Sequence, residues 1–434
     1  MTTTLSTTGR PDDRTTEHSA GRSDHPCFSA DAKHTNSRMH VPVAPKCNIQ
    51  CHYCNRSYDC VAESRPGVTS TVLEPWQAER YADELIAADP SMTVVGIAGP
   101  GDALANAEAS LETMSLVHAG HPEVALCVAT NGLALPQHAD ALADAGVSHV
   151  TVTVNAVDPD IGKWLYAWIR DGKTVLRGRP AAVLLWERQR AGIARLVARG
   201  VAVKINTIIV PGINDHHTSA IAAACKALGA TIHNCMALVP VAGSEFADTP
   251  APTTAEMAAA RAAAAKHLPQ MEHCARCRAD AVGRIGAPMG QAQFRVLERH
   301  ASAAKPGRLL VAAASQEGLF INRHLGEADE LLIFAATDDG GFRQVGVRRT
   351  PEPGTGSARW HDLADLLADC CALLVAGIGP SPTEILRASG VRVFEAEGLV
   401  QDLVPKALAG TAIKSACKPF KCGDGCGGNA KGCA

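Results

Sequence analysis

The sequence predicts an α/β protein of two folded units. Three observations carry that reading. From about residue 40 to 285 short apolar runs alternate with Ala-rich stretches of helical length. After residue 305 a new strand–helix pattern begins. Both ends of the chain lack the apolar content needed for a core.

The elements follow in order. Residues 1–24 are polar and read as disordered. The runs Thr93–Ala98, Val124–Ala129, His149–Val154, Val201–Val210 and Thr231–Val239 read as strands. Gln77–Ala88, Pro136–Ala145 and Arg188–Arg199 read as helices between them. Such alternation implies parallel β/α units, and periodicity alone does not separate an open sheet from a barrel. The first folded unit is placed at 25–285 and a linker at 286–305. A second, smaller α/β domain is placed at 306–412. Its expected strands are Leu309–Ala313, Leu331–Phe334, Phe342–Arg348 and Ala372–Gly377; its expected helices are Asp362–Asp369 and Thr383–Ser389. Residues 413–434 form a Gly- and Cys-rich tail.

Composition narrows the function classes. Aromatic residues are only 4% of the 434, so the core is built from small and aliphatic side chains. Net charge is −3 with no basic stripe, which argues against nucleic acid as a partner. No run approaches the roughly 18 apolar residues of a membrane span, and no secretory signal is visible. Sixteen cysteines in such a chain suggest a cytoplasmic protein with reduced thiols available to metals. Cys225, Cys235, Cys370 and Cys371 lie in apolar stretches without ligand spacing and read as small buried hydrophobes.

The most informative motif is Cys47-x3-Cys51-x2-Cys54. Three thiolates so close in sequence can hold three irons of a 4Fe-4S cluster and leave the fourth iron open. Zinc prefers four ligands, often in paired Cys-x2-Cys knuckles, and fits this spacing poorly. Gly96-Ile97-Ala98-Gly99-Pro100-Gly101-Asp102 follows an expected strand, and its small residues allow close backbone approach. Thr130-Asn131-Gly132 and Asn155 end the next two strands. Taken singly, these are also ordinary turns and strand caps. Further soft ligands surround the triple: Cys27, His40, Cys60, Cys127, Cys274 and Cys277. They number enough for two more clusters with three protein ligands each. A zinc half-knuckle or redox dithiol is the other reading of Cys274 and Cys277.

The triple, with Tyr53 before its last cysteine, resembles the radical S-adenosylmethionine (SAM) enzymes. That resemblance implies a partial β/α (TIM-like) barrel with its ligands at the carboxyl ends of the strands. It also implies a SAM-binding 4Fe-4S cluster. Gly99, Pro100, Gly101, Asp102, Thr130, Asn131 and Asn155 would then lie near SAM.

Several unusual strings, in order, are similar to the NifB family. They are His25-Pro26-Cys27, Arg38-Met39-His40, Cys47–Arg56, Tyr58-Asp59-Cys60, Glu63-Ser64-Arg65-Pro66-Gly67, Ala98–Asp102, Thr151–Pro159 and Cys274-x2-Cys277. The resemblance implies a nitrogenase cofactor-assembly enzyme that fuses two 4Fe-4S clusters around a SAM-derived carbide and adds a sulfur. One SAM would donate a methyl to a cluster sulfide, and a second would yield the radical that abstracts its hydrogen. By position, His40, Cys60 and Cys127 would ligate one precursor cluster and Cys27, Cys274 and Cys277 the other. Glu63 and Arg65 would lie beside them in catalytic roles. Implied partners are cluster donors of the NifU/NifS type, carriers and scaffolds of the NifX and NifEN type, and a reductant such as ferredoxin or flavodoxin.

The second domain carries Ala313–Gly318 and Asn322–Asp329, which resemble the NifX family and imply a ribonuclease H-like fold. His324 is its candidate contact to a cofactor precursor; a purely structural domain is the competing reading. Cys417, Cys422, Cys426 and Cys433 in the tail could bind metal or simply be oxidation-prone. Two other functional readings stay open: a non-catalytic iron–sulfur scaffold or carrier, and a radical SAM enzyme acting on an organic substrate.

Overall fold

The computed structural model describes residues 25–62, 64, 69, 71–287, 290–303, 307–337, 341–354, 356–411 and 413. The expectations for residues 1–24 and for the four tail cysteines lie outside them. The chain divides into two compact units, Met1–Leu297 and Glu298–Ala434.

The first unit is a curled sheet with helices packed along it. Its parallel strands are β1 (Ser37–His40), β3 (Met92–Ile97), β4 (Ala125–Thr130), β5 (Val147–Thr153), β8 (Ala202–Ile209) and β9 (Ile232–Ala237). They pair in that order, and β10 (Val282–Gly283) adds antiparallel to β1. The sheet has two ends, so this is a partial barrel. Its strands read as near-continuous apolar runs because both faces are covered, and every residue of β8 is buried.

The helices follow local rules. Pro75–Ala88 starts on a Glu74/Gln77 capping box with Pro75 in its first position, where a missing N–H costs nothing. It buries Ala78, Tyr81, Ala82 and Leu85, an i, i+3, i+4, i+7 stripe. Thr254–Ala265 opens on a Thr253/Glu256 capping box. Gly178–Ala198 begins ten residues before the expected Arg188. Pro180 looks like a breaker in sequence, but it occupies the first turn, where proline is tolerated. The five expected strands appear as β3, β4, β5, β8 and β9 within two residues of their expected bounds, and β1 and β10 are additional.

A separate three-stranded sheet was not legible in sequence. In it β2 (Ile49–Cys51) pairs with β6 (Tyr166–Asp171), which turns back into β7 (Thr174–Leu176). The stretch 286–305, expected as a linker, contains the helix Gln291–Ser302. Leu297 on that helix is fully buried, which explains why the segment orders.

The second unit is an α/β domain. Its five-stranded sheet runs β14 (Phe342–Arg349), β13 (Glu330–Ala336), β11 (Leu310–Ala313), β15 (Cys370–Val375), β16 (Arg392–Glu395). β11, β15 and β16 pair in parallel; β13 pairs antiparallel with both β11 and β14. Two apolar clusters cover the two faces of the sheet, one around Leu363, Leu373 and Leu386, the other around Phe334, Leu374 and Val404. The expected strands and helices are present. β16 and the helix Val400–Leu408 are additional. β12 (Phe320–Ile321) and β17 (Gly398–Leu399) form a short separate pair.

Candidate functional site

The cysteine triple is held by backbone. Cys51 is the last residue of β2, paired with Tyr166 of β6. Gln50 Nε2 donates to the carbonyls of Cys51 and Cys54, at 3.1 and 2.7 Å, which curls the segment into a loop. Cys54 is buried; Cys47 and Cys51 are half-buried. Burial pushes the Cys47 thiol up to about 12, with the nearby Asp102 carboxylate adding to the effect, and burial likewise raises Cys54. Cluster ligation requires both as thiolates, so metal binding would release their protons.

The glycine run abuts this loop. Gly101 N–H donates to the Ala44 carbonyl at 2.6 Å and Asp102 N–H to the Lys46 carbonyl at 2.8 Å. A Cβ on Gly101 would lie 2.1 Å from the Lys46 oxygen. The close approach is therefore between two chain segments, and it fixes the residue next to Cys47. Gly99 has φ +122°, and the Pro100 carbonyl accepts from Cys60 N–H at 2.8 Å.

The polar residues at the strand ends serve one another. The buried Asp102 carboxylate accepts from Leu104 N–H, Ala105 N–H, the Thr130 hydroxyl and Asn131 N–H. Asn131 Nδ2 donates to Asn48 Oδ1 at 2.8 Å, one residue from Cys47. Gln189 Nε2, buried, donates to the Asn131 and Thr153 carbonyls at 2.8 and 2.9 Å. Asn155 Nδ2 donates to the Tyr53 hydroxyl at 2.7 Å. Cys47, Cys51, Cys60, Asp102, Asn131, Thr153, Asn155 and Tyr166 thus line one pocket.

A second cavity, about 70 Å³, lies inside the curl of the sheet. It gathers Cys27, His40, Cys127, Cys274 and Cys277. Cys127 sits in the middle of β4, whose pairing with β5 continues through Thr130, and it lines the interior. Cys60 lies with the triple in the first pocket, apart from His40 and Cys127 in this one. His40 Nδ1 is 2.9 Å from the Arg278 carbonyl, to which it donates, so Nε2 keeps the lone pair a metal needs. Burial, reinforced by Arg38, holds this imidazole down at about 4, hence neutral. Among the described residues no three His, Cys, Asp or Glu side chains converge on a single ion. Spread thiols suit a multi-iron cluster, where each iron takes its own ligand.

Sequence reasoning missed the cations here. Arg38 and Lys204 line the cavity, and Arg38 Nη2 donates to Cys277 Sγ at 2.7 Å. Burial alone would lower the Lys204 ammonium, but Cys27, Cys274, Cys127 and Cys277 around it hold it above the usual lysine value. The available signal was polar Lys204 and Asn206 at period two within an apolar strand. Ser64 lines the cavity too, but Glu63 and Arg65 lie outside the described residues. Asp59 accepts from Thr69 N–H and hydroxyl, which ties together the two ends of their loop.

In the second unit His324 Nδ1 accepts from Gly326 N–H at 3.0 Å and its ring packs on Gly377. Cys225, Cys235, Cys370 and Cys371 are buried.

Residues 41–225 match the family model of the radical SAM superfamily, and residues 307–410 that of the dinitrogenase iron-molybdenum cofactor family. A FeMo cofactor biosynthesis protein NifB of Chlorobaculum tepidum is 45% identical over 416 residues, covering 94% of this chain and 98% of that protein. The chain belongs to the NifB family. The NifB of Klebsiella pneumoniae is 41% identical, with 85% of this chain and 86% of that one covered. The NifB of Rhodobacter capsulatus is 40% identical over 85% and 91%. A radical SAM domain implies a 4Fe-4S cluster and SAM. The Cys47, Cys51 and Cys54 thiols fit such a cluster, with one iron left for SAM. Among the described residues no helix is long and apolar enough to cross a membrane.

Proposed function

We propose that this protein is the radical SAM enzyme that fuses two 4Fe-4S clusters and inserts a SAM-derived carbide, with an extra sulfur, to give the 8Fe-9S-C precursor of the nitrogenase cofactor. One observation carries the reading. Next to a pocket suited to a SAM cluster, the same curled sheet encloses five further soft ligands, a surplus that favours cluster cargo over an organic substrate. The names of the NifB relatives support it.

Cys47, Cys51 and Cys54 would hold the resident cluster, which supplies the electron that cleaves SAM. Gly99, Pro100, Gly101, Asp102, Thr130, Asn131 and Asn155 form the frame against which SAM would lie. Within that frame Asp102 and Thr130 act on the backbone rather than on SAM, since their polar atoms face each other. Cys27, Cys274 and Cys277 would hold one cargo cluster. His40 and Cys127, with Cys60 reaching from the SAM pocket, would hold the other. A cargo cluster bridging the two pockets brings its sulfides within reach of SAM chemistry. Burial of the cavity excludes water from the radical. Glu63 and Arg65 are assigned proton and charge roles at the junction. The NifX-like domain would pass the product on, through His324, to carriers of the NifX and NifEN type. Clusters would come from NifU/NifS-type donors and electrons from ferredoxin or flavodoxin, in the cytoplasm.

Incubation of the reconstituted protein with methyl-labelled SAM and a reductant tests the function. The expected products are both S-adenosylhomocysteine and 5′-deoxyadenosine, with label in the cluster. Either product alone, with all clusters present, overturns the two-SAM route. Cluster transfer without SAM consumption would favour the scaffold reading instead.

A further inference from the structure

Among the described residues, the cavity inside the sheet is lined by cations and by no carboxylate. Lys204 projects from β8 and is 7% exposed. Its Nζ lies 4.0 Å from Met271 Sδ and 5.7 Å from the Phe28 ring centre. Arg38 and Arg276 share the lining, and no carboxylate of the described residues does. A buried ammonium costs several kcal/mol unless an anion answers it.

His25 adds a donor of fixed direction. Its Nδ1 accepts from Cys27 N–H at 3.0 Å, so the ring proton sits on Nε2. That nitrogen is buried and has no acceptor among the described residues, and the residue lines the cavity. The ring is wedged between Phe28 and His149, with centroids 4.9 and 4.5 Å away, and cannot swing to another partner. Lys204 and His25 therefore present N–H groups to an occupant that must be anionic and rich in acceptors. Inorganic sulfides of a thiolate-ligated cluster meet both conditions.

We infer that Lys204 and His25 donate hydrogen bonds to the sulfides of the cargo cluster held beside Cys27, Cys274 and Cys277. They position and neutralise it without ligating iron. The inference rests on the reading of this cavity as a cluster-cargo site. Each N–H···S bond and the Lys204 charge stabilise the reduced, more negative cluster, and so raise its reduction potential.

The test uses the full chain with Cys47, Cys51 and Cys54 replaced by Ala, reconstituted anaerobically with iron and sulfide so that only cargo clusters report. In this background K204M, K204R and H25N are compared by EPR-monitored redox titration and by pulsed EPR in D2O. K204M is expected to move a cluster potential to more negative values and K204R to restore it. H25N keeps an acceptor for Cys27 N–H, through an Asx turn, but withdraws the long Nε2 donor. It is expected to lower the potential and lose one exchangeable-deuteron coupling. Full iron with unchanged potentials and couplings in K204M and H25N overturns this inference alone. A background protein that binds no iron overturns the cargo reading and the inference with it. Should K204M fail to take up iron, H25N decides by the same two readouts.

Discussion

Replacing Gly101 by alanine probes how the barrel sets the cysteine triple. The new Cβ would meet the Lys46 oxygen at 2.1 Å, the Lys46 carbonyl carbon at 2.7 Å and the Ala44 oxygen at 2.8 Å. All three are backbone atoms and none can rotate away. To bring the closest contact from 2.1 Å to at least 3.0 Å, the segment before Cys47 must retreat by about 0.9 Å. That movement strains the 2.6 Å bond from Gly101 N–H to Ala44 and the 2.8 Å bond from Asp102 N–H to Lys46. Overpacking of this kind costs on the order of 3 kcal/mol. A 1 Å displacement of reacting groups costs about 100-fold in rate. G101A should therefore cleave SAM roughly 100-fold more slowly than the wild type. Iron in the cargo cavity should persist, since the atoms nearest the added methyl belong to Lys46 and Ala44, which do not line that cavity. G120A is the control: its Cβ meets only Asp83 Oδ1, at an ordinary 3.7 Å, and alanine suits a helix. The assay is deoxyadenosine formation per resident cluster, with urea unfolding alongside. Wild-type rates and stability in G101A would refute the claim that this contact fixes the triple.

Other predictions concern the frame behind the site. Q189L keeps the volume but leaves the Asn131 and Thr153 carbonyls without their donor, so it should lower stability by about 2 kcal/mol in urea titration. His233 is fully buried, and burial holds its imidazole down at about 4 from an ordinary 6.5. Between those values the unfolded chain binds a proton that the folded chain does not. Its contribution is thus complete above pH 6.5 and lost as pH falls towards 4, up to about 3 kcal/mol. H233Q should take about one proton out of the pH slope of apo-protein unfolding in that window; an unchanged slope would show that His233 titrates normally.

Much of the fold was legible because parallel strands covered on both faces write near-continuous apolar runs, as residues 125–129 of β4 do. The hairpin Tyr166–Leu176 escaped because Trp168, Arg170 and Asp171 give it neither an apolar run nor clean alternation. The ligand types of the site were legible as a cysteine spacing and a set of recurring strings. Their grouping was not: which residues share a cavity depends on strand register, and register puts Cys127 inside the curl while the Pro100 carbonyl ties Cys60 to the triple's side. Lys204 and His25 were overlooked for a related reason. A lysine in a strand and a histidine before a proline acquire meaning only once the fold brings both to one cavity that no carboxylate of the described residues lines. The strand-end residues show the converse. Asp102 and Thr130 look like ligand contacts in sequence, and in the fold they also tie the segment after β3 to the end of β4.

The central claim, three cluster sites in one barrel, is tested most directly by iron content and EPR. The anaerobically reconstituted protein is compared with the variant in which Cys47, Cys51 and Cys54 are all alanine, each with and without SAM. The account predicts that the variant keeps about two-thirds of the wild-type iron. Only the wild type should show a SAM-perturbed signal. Loss of essentially all iron from the variant would contradict the account, leaving an ordinary radical SAM enzyme with a single cluster.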